Sequence, residues 1–305
     1  MIGPTGSRST PGVEPAFERG GTLGRRGSPR RRVGGDLKAV VLARGLGTRM
    51  KAEDRGADLS VAEAAVADTG VKSLVPLRDK RPFLDYILSA LADAGCSEIC
   101  LVVGPEHCAI RERYSLIHPP RRFRIAFAIQ RDPRGTGDAV LSAEEFVAGD
   151  QFLMVNSDNY YPAAALRALV EMEGPGTVLF SPEGLARGSN IEPARIMAFA
   201  LGTIGLDGCL DTLIEKPDEG ALRRIGSERH VSMNCWRFPP AIFEACGNLR
   251  PSGRGELELT DAIMRTIAAG LRYIVRLSDE GVLDLSRRGD IQAVKQKLLG
   301  VRVEL

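Results

Sequence analysis

Four groups of residues in this chain have types and spacings suited to phosphate and sugar chemistry. The first is Gly45-Leu46-Gly47-Thr48-Arg49, which follows the apolar, β-branched run 39–42 at once. A tight glycine turn after a buried strand lets backbone N–H groups approach a phosphate closely. Arg49 adds a forked cation that matches phosphate oxygens, and Lys72 a second positive charge. The second group is a pair of carboxylates. Asp158 stands in Asn156-Ser157-Asp158-Asn159 after the apolar run 152–155, and Asp284 ends the run 281–284. A carboxylate at a strand's end is placed to hold Mg²⁺ on a nucleotide, with Asn159 beside it as a substrate contact. The third is Gln130, whose amide offers one donor and one acceptor face to the edge of a base. Gly135, Thr136 and Gly137 follow it, allow close backbone approach and open a helix with free N–H groups. The fourth is Glu215-Lys216-Pro217, with a carboxylate for hydroxyl groups and an ammonium for a phosphate. Asn234, an amide in the apolar run 231–238, joins it as a ligand contact.

Taken singly, each group has an ordinary structural use: a glycine turn, a capped Pro-Gly turn, an Asn-Ser-Asp turn, a solvated charged pair. The glycine turn also lacks the third glycine of a dinucleotide fingerprint and the Gly-Lys-Ser/Thr ending of a P-loop. Their placement on the elements is what unites them. Residues 39–42, 99–103, 125–129 and 152–155 read as buried strands, and 82–94, 105–114 and 138–146 as helices between them. That alternation predicts an α/β fold: a Rossmann-like open, mostly parallel (mixed) sheet flanked by helices. Ligands in such sheets sit at the carboxyl ends of the strands, where three of the groups fall. Further strands are expected at 194–199, 209–214 and 231–238, a helix within 255–270, and a closing helix at 291–299. Between Arg49 and Lys72 lies a spacer. Ser60 and Glu63 have capping-box spacing there, 61–68 reads as a helix, and Gly70 ends it. Because it joins two phosphate-facing elements, the spacer is expected over the mouth of the site.

Composition excludes several classes. The 305 residues suffice for one large or two modest domains. The formal charge of +2 is misleading, because residues 1–35 hold seven arginines against Glu14 and Glu18. That Gly-, Pro-, Ser- and Arg-rich stretch reads as a disordered basic tail, and the rest of the chain is net acidic. No nucleic-acid surface follows. Six scattered cysteines without a C-x-x-C pair suggest reduced thiols in the cytoplasm, and three dispersed histidines make no zinc site. No apolar run of about 18 residues predicts a membrane span. The state of association, including a homo-oligomer, stays open.

The order of the motifs resembles that of the sugar-1-phosphate nucleotidyltransferases. GLGTRM at 45–50, Lys72, Gln130 with GTGDA at 135–139, SDN at 157–159, EKP at 215–217 and Asp284 follow one another as in that family. The resemblance implies that 45–49 wraps the triphosphate of an NTP, that Gln130 and Gly135 meet the base, and that Asp158 and Asp284 hold Mg²⁺. It implies a single domain at 36–305 with a nucleotide-binding half (36–160) and a sugar-phosphate-binding half (161–305), Glu215 on sugar hydroxyls and Lys216 on the phosphate of a sugar- or cyclitol-1-phosphate. Arg44 stands where a small residue is usual, Val71 replaces a proline before Lys72, Ser157 replaces a glycine, and Leu285-Ser286 depart from the family after the aspartate. These departures leave a nucleotide-sensing regulatory subunit of the same fold as the alternative. NSDNYYP, VSMNCWRF and VLDLS look like the cyclitol-1-phosphate branch, whose likeness suggests guanine, whereas Gln130 resembles the uridine and thymidine members.

Overall fold

The structure is a computed structural model and describes residues 37–52, 57–226 and 228–305. The basic stretch 1–35 lies outside the described residues. Eleven strands are present in the described residues: β1 (Leu37–Leu42), β2 (Cys96–Val103), β3 (Arg124–Ile129), β4 (Phe152–Asn156), β5 (Asn159–Tyr160), β6 (Gly176–Phe180), β7 (Ala200–Ile204), β8 (Leu210–Ile214), β9 (His230–Phe238), β10 (Ile274–Ser278) and β11 (Leu283–Asp284). The main sheet runs β10-β6-β9-β4-β1-β2-β3, with β7 added on β9 and β8 on β7. Strands β4, β1, β2 and β3 are mutually parallel, as are β6 and β10. Strand β9 lies antiparallel between β4 and β6. The sheet is therefore mixed and mostly parallel, and residues Asp36–Leu305 cluster as one compact unit.

The continuous apolar run of β1 explains its central place. Ala39, Val40 and Val41 are all fully buried. Ala39 and Val41 join one core, with the helices Phe83–Asp93 and Ala163–Glu171. Val40 joins the other, with the helices Ala241–Gly247 and Leu259–Ala268. Period-two alternation thus needs apolar residues on both faces, because both faces are covered.

Several elements depart from the sequence expectation. Residues 194–199 are not a strand: Pro193–Ile196 forms a short helix, and the strand begins only at Ala200. Pro193 sits at the helix's first turn, where its missing N–H costs nothing and its φ is already helical. The helix expected at 138–146 starts earlier, as Thr136–Leu141, and a second turn follows at Glu144–Val147. The helix expected at 105–114 is α-helical only over Cys108–Glu112 and widens to a π-turn at Arg113–Ile117. The spacer does form a helix, Val61–Thr69, with the Ser60–Glu63 capping box closed and Gly70 left-handed at its end. The expected cover over the mouth of the site is not seen among its described residues, none of which lines the two cavities there. Lys295 reaches Glu63 at 2.6 Å and Gln292 donates to the Asp58 carbonyl at 2.6 Å, so the spacer packs on the helix Asp290–Lys297.

Candidate active site

Three parallel strands deliver the residues expected at the phosphates and the base to one edge. Strand β1 runs into Gly45–Arg49, β3 into Gln130, and β4 into Ser157-Asp158. A cleft of about 360 Å³ there is lined by Gly45, Leu46, Gly47, Thr48, Arg49, Lys72, Gln130, Gly135, Thr136 and Asp158. A second cavity of about 630 Å³ is lined by Asn159, Glu215, Lys216, Asn234 and Asp284. Arg49, Asn156, Asp158 and Ser286 line both. Every site residue expected from the sequence thus lines one of two adjoining spaces.

The glycine turn is shaped by its neighbours. Gly47 is left-handed (φ 61°), and a Cβ there would stand 2.0 Å from the Gly70 carbonyl oxygen. The close approach that Gly47 permits is therefore to the end of the spacer helix. Gly45 differs: a Cβ there would meet only the Lys72 side chain, at 3.4 Å, so its open side belongs to the cleft. The contact between Gly47 and Gly70 also brings Lys72 beside Gly45, across the long spacer. Gly135 is used in the same way as Gly47. Its φ is 122°, and a Cβ would lie 2.6 Å from the Leu257 carbonyl oxygen. Gly137 donates to that oxygen at 2.8 Å, and Leu257 donates to the Arg134 carbonyl at 2.7 Å. The glycines after Gln130, expected to admit a ligand, first of all admit the Leu257 backbone. Thr136 accepts from Leu259 N–H at 3.1 Å, which fastens the same clasp.

Gln130 is buried. Its amide nitrogen donates to the Gly135 carbonyl (3.1 Å) and to Asp138 (2.9 Å), which fixes the orientation of the amide. The two aspartates are brought together by a ladder too short to read in sequence. Strand β11 pairs antiparallel with β5, setting Asp284 opposite Asn159 and Leu283 opposite Tyr160. Leu285 N–H donates to the Asp158 carbonyl at 2.8 Å. Lys72 forms an ion pair with the Asp158 carboxylate. Asp284 is buried, and its carboxylate accepts from Asn159 (3.2 Å), Ser286 (2.9 Å) and Arg195 (3.0 Å). Burial first, and then the Asp158 charge, push the Asp284 carboxyl above the usual carboxylate range.

In the second cavity the backbone is strained where the candidate residues sit. Lys216 (φ 43°) and Asn234 (φ 56°) are left-handed without being glycine. Asn234 lies where the pairing of β9 with β6 shifts register, and asparagine tolerates this conformation better than most residues. Burial, and next the neighbouring Glu258 charge, raise the Glu215 carboxyl. Residues missed in sequence also line this space. Arg195 was concealed because its segment read as a strand. Ser232, whose buried hydroxyl finds no partner, looked like an ordinary strand residue.

The Nucleotidyl transferase family model matches residues 38–285. The chain is 30% identical over 268 residues to the low-salt glycan biosynthesis nucleotidyltransferase Agl11 of Haloferax volcanii, covering 86% of this chain and 66% of that protein. It is 29% identical over 238 residues to a glucose-1-phosphate thymidylyltransferase of Streptomyces griseus, covering 77% and 58%. It is 26% identical over 263 residues to the UTP–glucose-1-phosphate uridylyltransferase AglF of Haloferax volcanii, covering 86% and 96%. The chain thus spans about half to two thirds of the length of several of these relatives. In fold it is similar to a UDP-glucose pyrophosphorylase complexed with UDP-glucose (TM-score 0.64, 19% identity, 87% of this chain and 99% of that one). It is equally similar to a UTP-bound UGPase from Acinetobacter baumannii (TM-score 0.64, 18% identity, 88% and 95%). The family match begins one residue into β1, ends one residue past Asp284 and takes in all but Ser286 and Arg287 of the cavity lining, and the chain belongs to the nucleotidyl transferase family.

Proposed function

We propose that this protein condenses an NTP with a sugar- or cyclitol-1-phosphate, giving the nucleoside diphosphate sugar or cyclitol and pyrophosphate. The observation that carries this reading is the position of Asp158. It lines both cavities, one walled by the glycine turn and Gln130, the other by Glu215 and Lys216. The relatives named as glucose-1-phosphate thymidylyl- and uridylyltransferases support the same reaction class. An oxygen of the sugar phosphate attacks the α-phosphorus, and the bond to the bridging oxygen of the pyrophosphate breaks. No general base is required, because a phosphate monoester with a second pKa of about 6 is already largely dianionic. The protein's part is positioning and neutralisation of charge. Gly45–Arg49 cradles the triphosphate, Arg49 meets the departing pyrophosphate, and Lys72 and Lys216 hold the two reacting phosphates. Glu215, Asn159 and Asn234 hold the sugar or cyclitol hydroxyls.

Mg²⁺ fits Asp158 and Asp284. Two carboxylates whose charges repel lie where the substrates' phosphates would meet, and Mg²⁺ takes one or two carboxylates together with substrate phosphates. Among the described residues there is no larger group of His, Cys, Asp and Glu that could hold a metal alone, in keeping with a site completed by substrate. When bound, the ion would neutralise charge developing on the phosphate oxygens. Lys72 and Arg195 already hold one carboxylate oxygen each.

A second reading, nucleotide sensing without turnover, is favoured by one feature: Arg195, Asn159 and Ser286 already engage both oxygens of Asp284. The six cysteines are free, in keeping with work in the cytoplasm, and no helix among the described residues is long and apolar enough to cross a membrane. The test is pyrophosphate release with Mg²⁺ across NTPs and sugar and cyclitol 1-phosphates. A preferred pair is expected, with turnover at least 100-fold lower in a folded Asp158→Ala variant. NTP binding without pyrophosphate release from any pair would turn the reading to the sensor.

A further inference from the structure

Arg44 is the residue at this site that the family resemblance leaves without a role. It follows β1 and lines the first cleft, yet it is 9% exposed. Its Nε donates to the Gln130 carbonyl (2.7 Å) and its Nη2 to the Arg131 carbonyl (2.9 Å), with Glu106 at 3.4 Å. Its Nη1 is buried with no partner. Of the four buried side-chain atoms among the described residues in that state, it alone belongs to a charged group and to the glycine-turn cleft. A guanidinium cannot shed its proton, so this donor cannot be switched off. A buried, unanswered N–H of a charged group is costly unless something else supplies an acceptor.

The side chain next to it complements this donor. Both amide hydrogens of Gln130 are held by Gly135 and Asp138, which leaves the amide oxygen as its acceptor. Arg44 donates to the backbone carbonyl of that same residue, which ties its guanidinium to the segment that carries the amide. A donor and an acceptor offered together would complement a ring that carries a carbonyl next to an N–H. Uracil and thymine have this edge at N3–H and its flanking carbonyls, and guanine has it at N1–H and O6. Adenine and cytosine present the reverse polarity, an amino group next to a bare ring nitrogen. Against this pair they would set donor on donor and acceptor on acceptor.

We propose that Arg44 is a specificity-determining residue, which with Gln130 selects nucleotides whose base carries a carbonyl beside a ring N–H. The proposal rests on the reading of the first cleft as the NTP site. It accommodates both uracil or thymine and guanine, which the sequence motifs left in conflict.

The test is calorimetric binding of NTPs to the intact chain with Mg²⁺, using two matched pairs. ITP and ATP differ only in the exchange of carbonyl and N–H for amino group and bare nitrogen, and so do UTP and CTP. The wild type is expected to prefer ITP and UTP by about 100-fold or more, since a site built for a polar partner rejects the mismatched analogue strongly. In Arg44→Met, which keeps the stem and removes every donor, the preference is expected to fall to about tenfold or less. Arg44→Lys, which keeps a charge but cannot hold both carbonyls, should lie between. If Arg44 merely positions the Gln130 segment, Arg44→Met weakens all four nucleotides alike and leaves the ratios unchanged, which overturns the proposal. Equal binding of ITP and ATP, and of UTP and CTP, to the wild type overturns it without any variant. Failure of the wild type to bind any NTP overturns the reading of the cleft itself, and the base selection with it.

Discussion

Lys216 keeps a left-handed backbone immediately before Pro217, a position where a preceding residue is pushed toward extended conformations. Such a conformation costs about 1–3 kcal/mol and persists only where the surroundings impose it. Its neighbour Glu215 is held at a cost too, with burial and then Glu258 disfavouring the ionised form. The sign of the pH dependence follows. A carboxyl whose folded pKa is raised binds more protons folded than unfolded, so its contribution to stability is fully present below the unfolded pKa. It is lost as pH rises through the folded value. Glu215→Gln is therefore expected to stabilise the fold relative to wild type at about pH 8, and the gain should vanish at about pH 4. Denaturant midpoints of the two proteins at both pH values check this. A gain that is the same at both would show that the ionised carboxylate is not the source. Turnover should fall in the variant at every pH, because the proposed function assigns Glu215 to the substrate hydroxyls.

At the scale of elements, the glycine turn combines two functions that a motif cannot separate. Gly47 is required by the fold, since a side chain there meets the Gly70 backbone and a positive φ. Gly45 faces the cleft and has room for a methyl group next to the Lys72 stem. Gly47→Ala is expected to destabilise the protein by at least about 1–2 kcal/mol from the left-handed penalty alone, before the clash is counted. Gly45→Ala should leave thermal stability within about 0.5 kcal/mol of wild type and weaken NTP binding, because its methyl group would stand where the proposed function puts a phosphate. Thermal denaturation and calorimetry on the pair separate the two roles. Equal loss of stability in both variants would refute the division.

At the scale of the whole molecule, the glycine-turn cleft is braced by residues from the far end of the chain. Arg288, its side chain 10% exposed, donates to the Met50 carbonyl at 2.9 Å and pairs with Asp68 at 2.5 Å. It thereby ties the glycine turn and the spacer helix to the C-terminal helix. Hydrogen bonds from a charged donor contribute about 1.5–3 kcal/mol when buried. Arg288→Ala is expected to lose about 2 kcal/mol in chemical denaturation and to weaken NTP binding, although Arg288 lines neither cavity. Unchanged nucleotide affinity in a destabilised variant would confine Arg288 to the fold.

Much of the sheet and the site was legible in the sequence. The apolar runs marked β1, β2, β3 and β4 within a few residues, and the chemistry-bearing residues stood at their carboxyl ends, where an open α/β sheet places its ligands. The Ser60–Glu63 capping box and the Gly70 stop were legible for the same reason: local hydrogen bonding depends on neighbours a few residues apart. Tertiary structure alone decided the rest. Asp284 reaches Asn159 across 125 residues through a two-residue ladder, which has no periodicity to read. Residues 194–199, apolar around their arginine, read as a strand, whereas the folded chain turns Pro193–Ile196 into a helix. The partner of Gly135 is Leu257, and that of Gly47 is Gly70; a glycine in sequence announces a close approach without naming what approaches. Arg44 showed the same limit from the other side. Its residue type marked it as unusual, but only the folded chain set its guanidinium against the backbone carbonyl of Gln130.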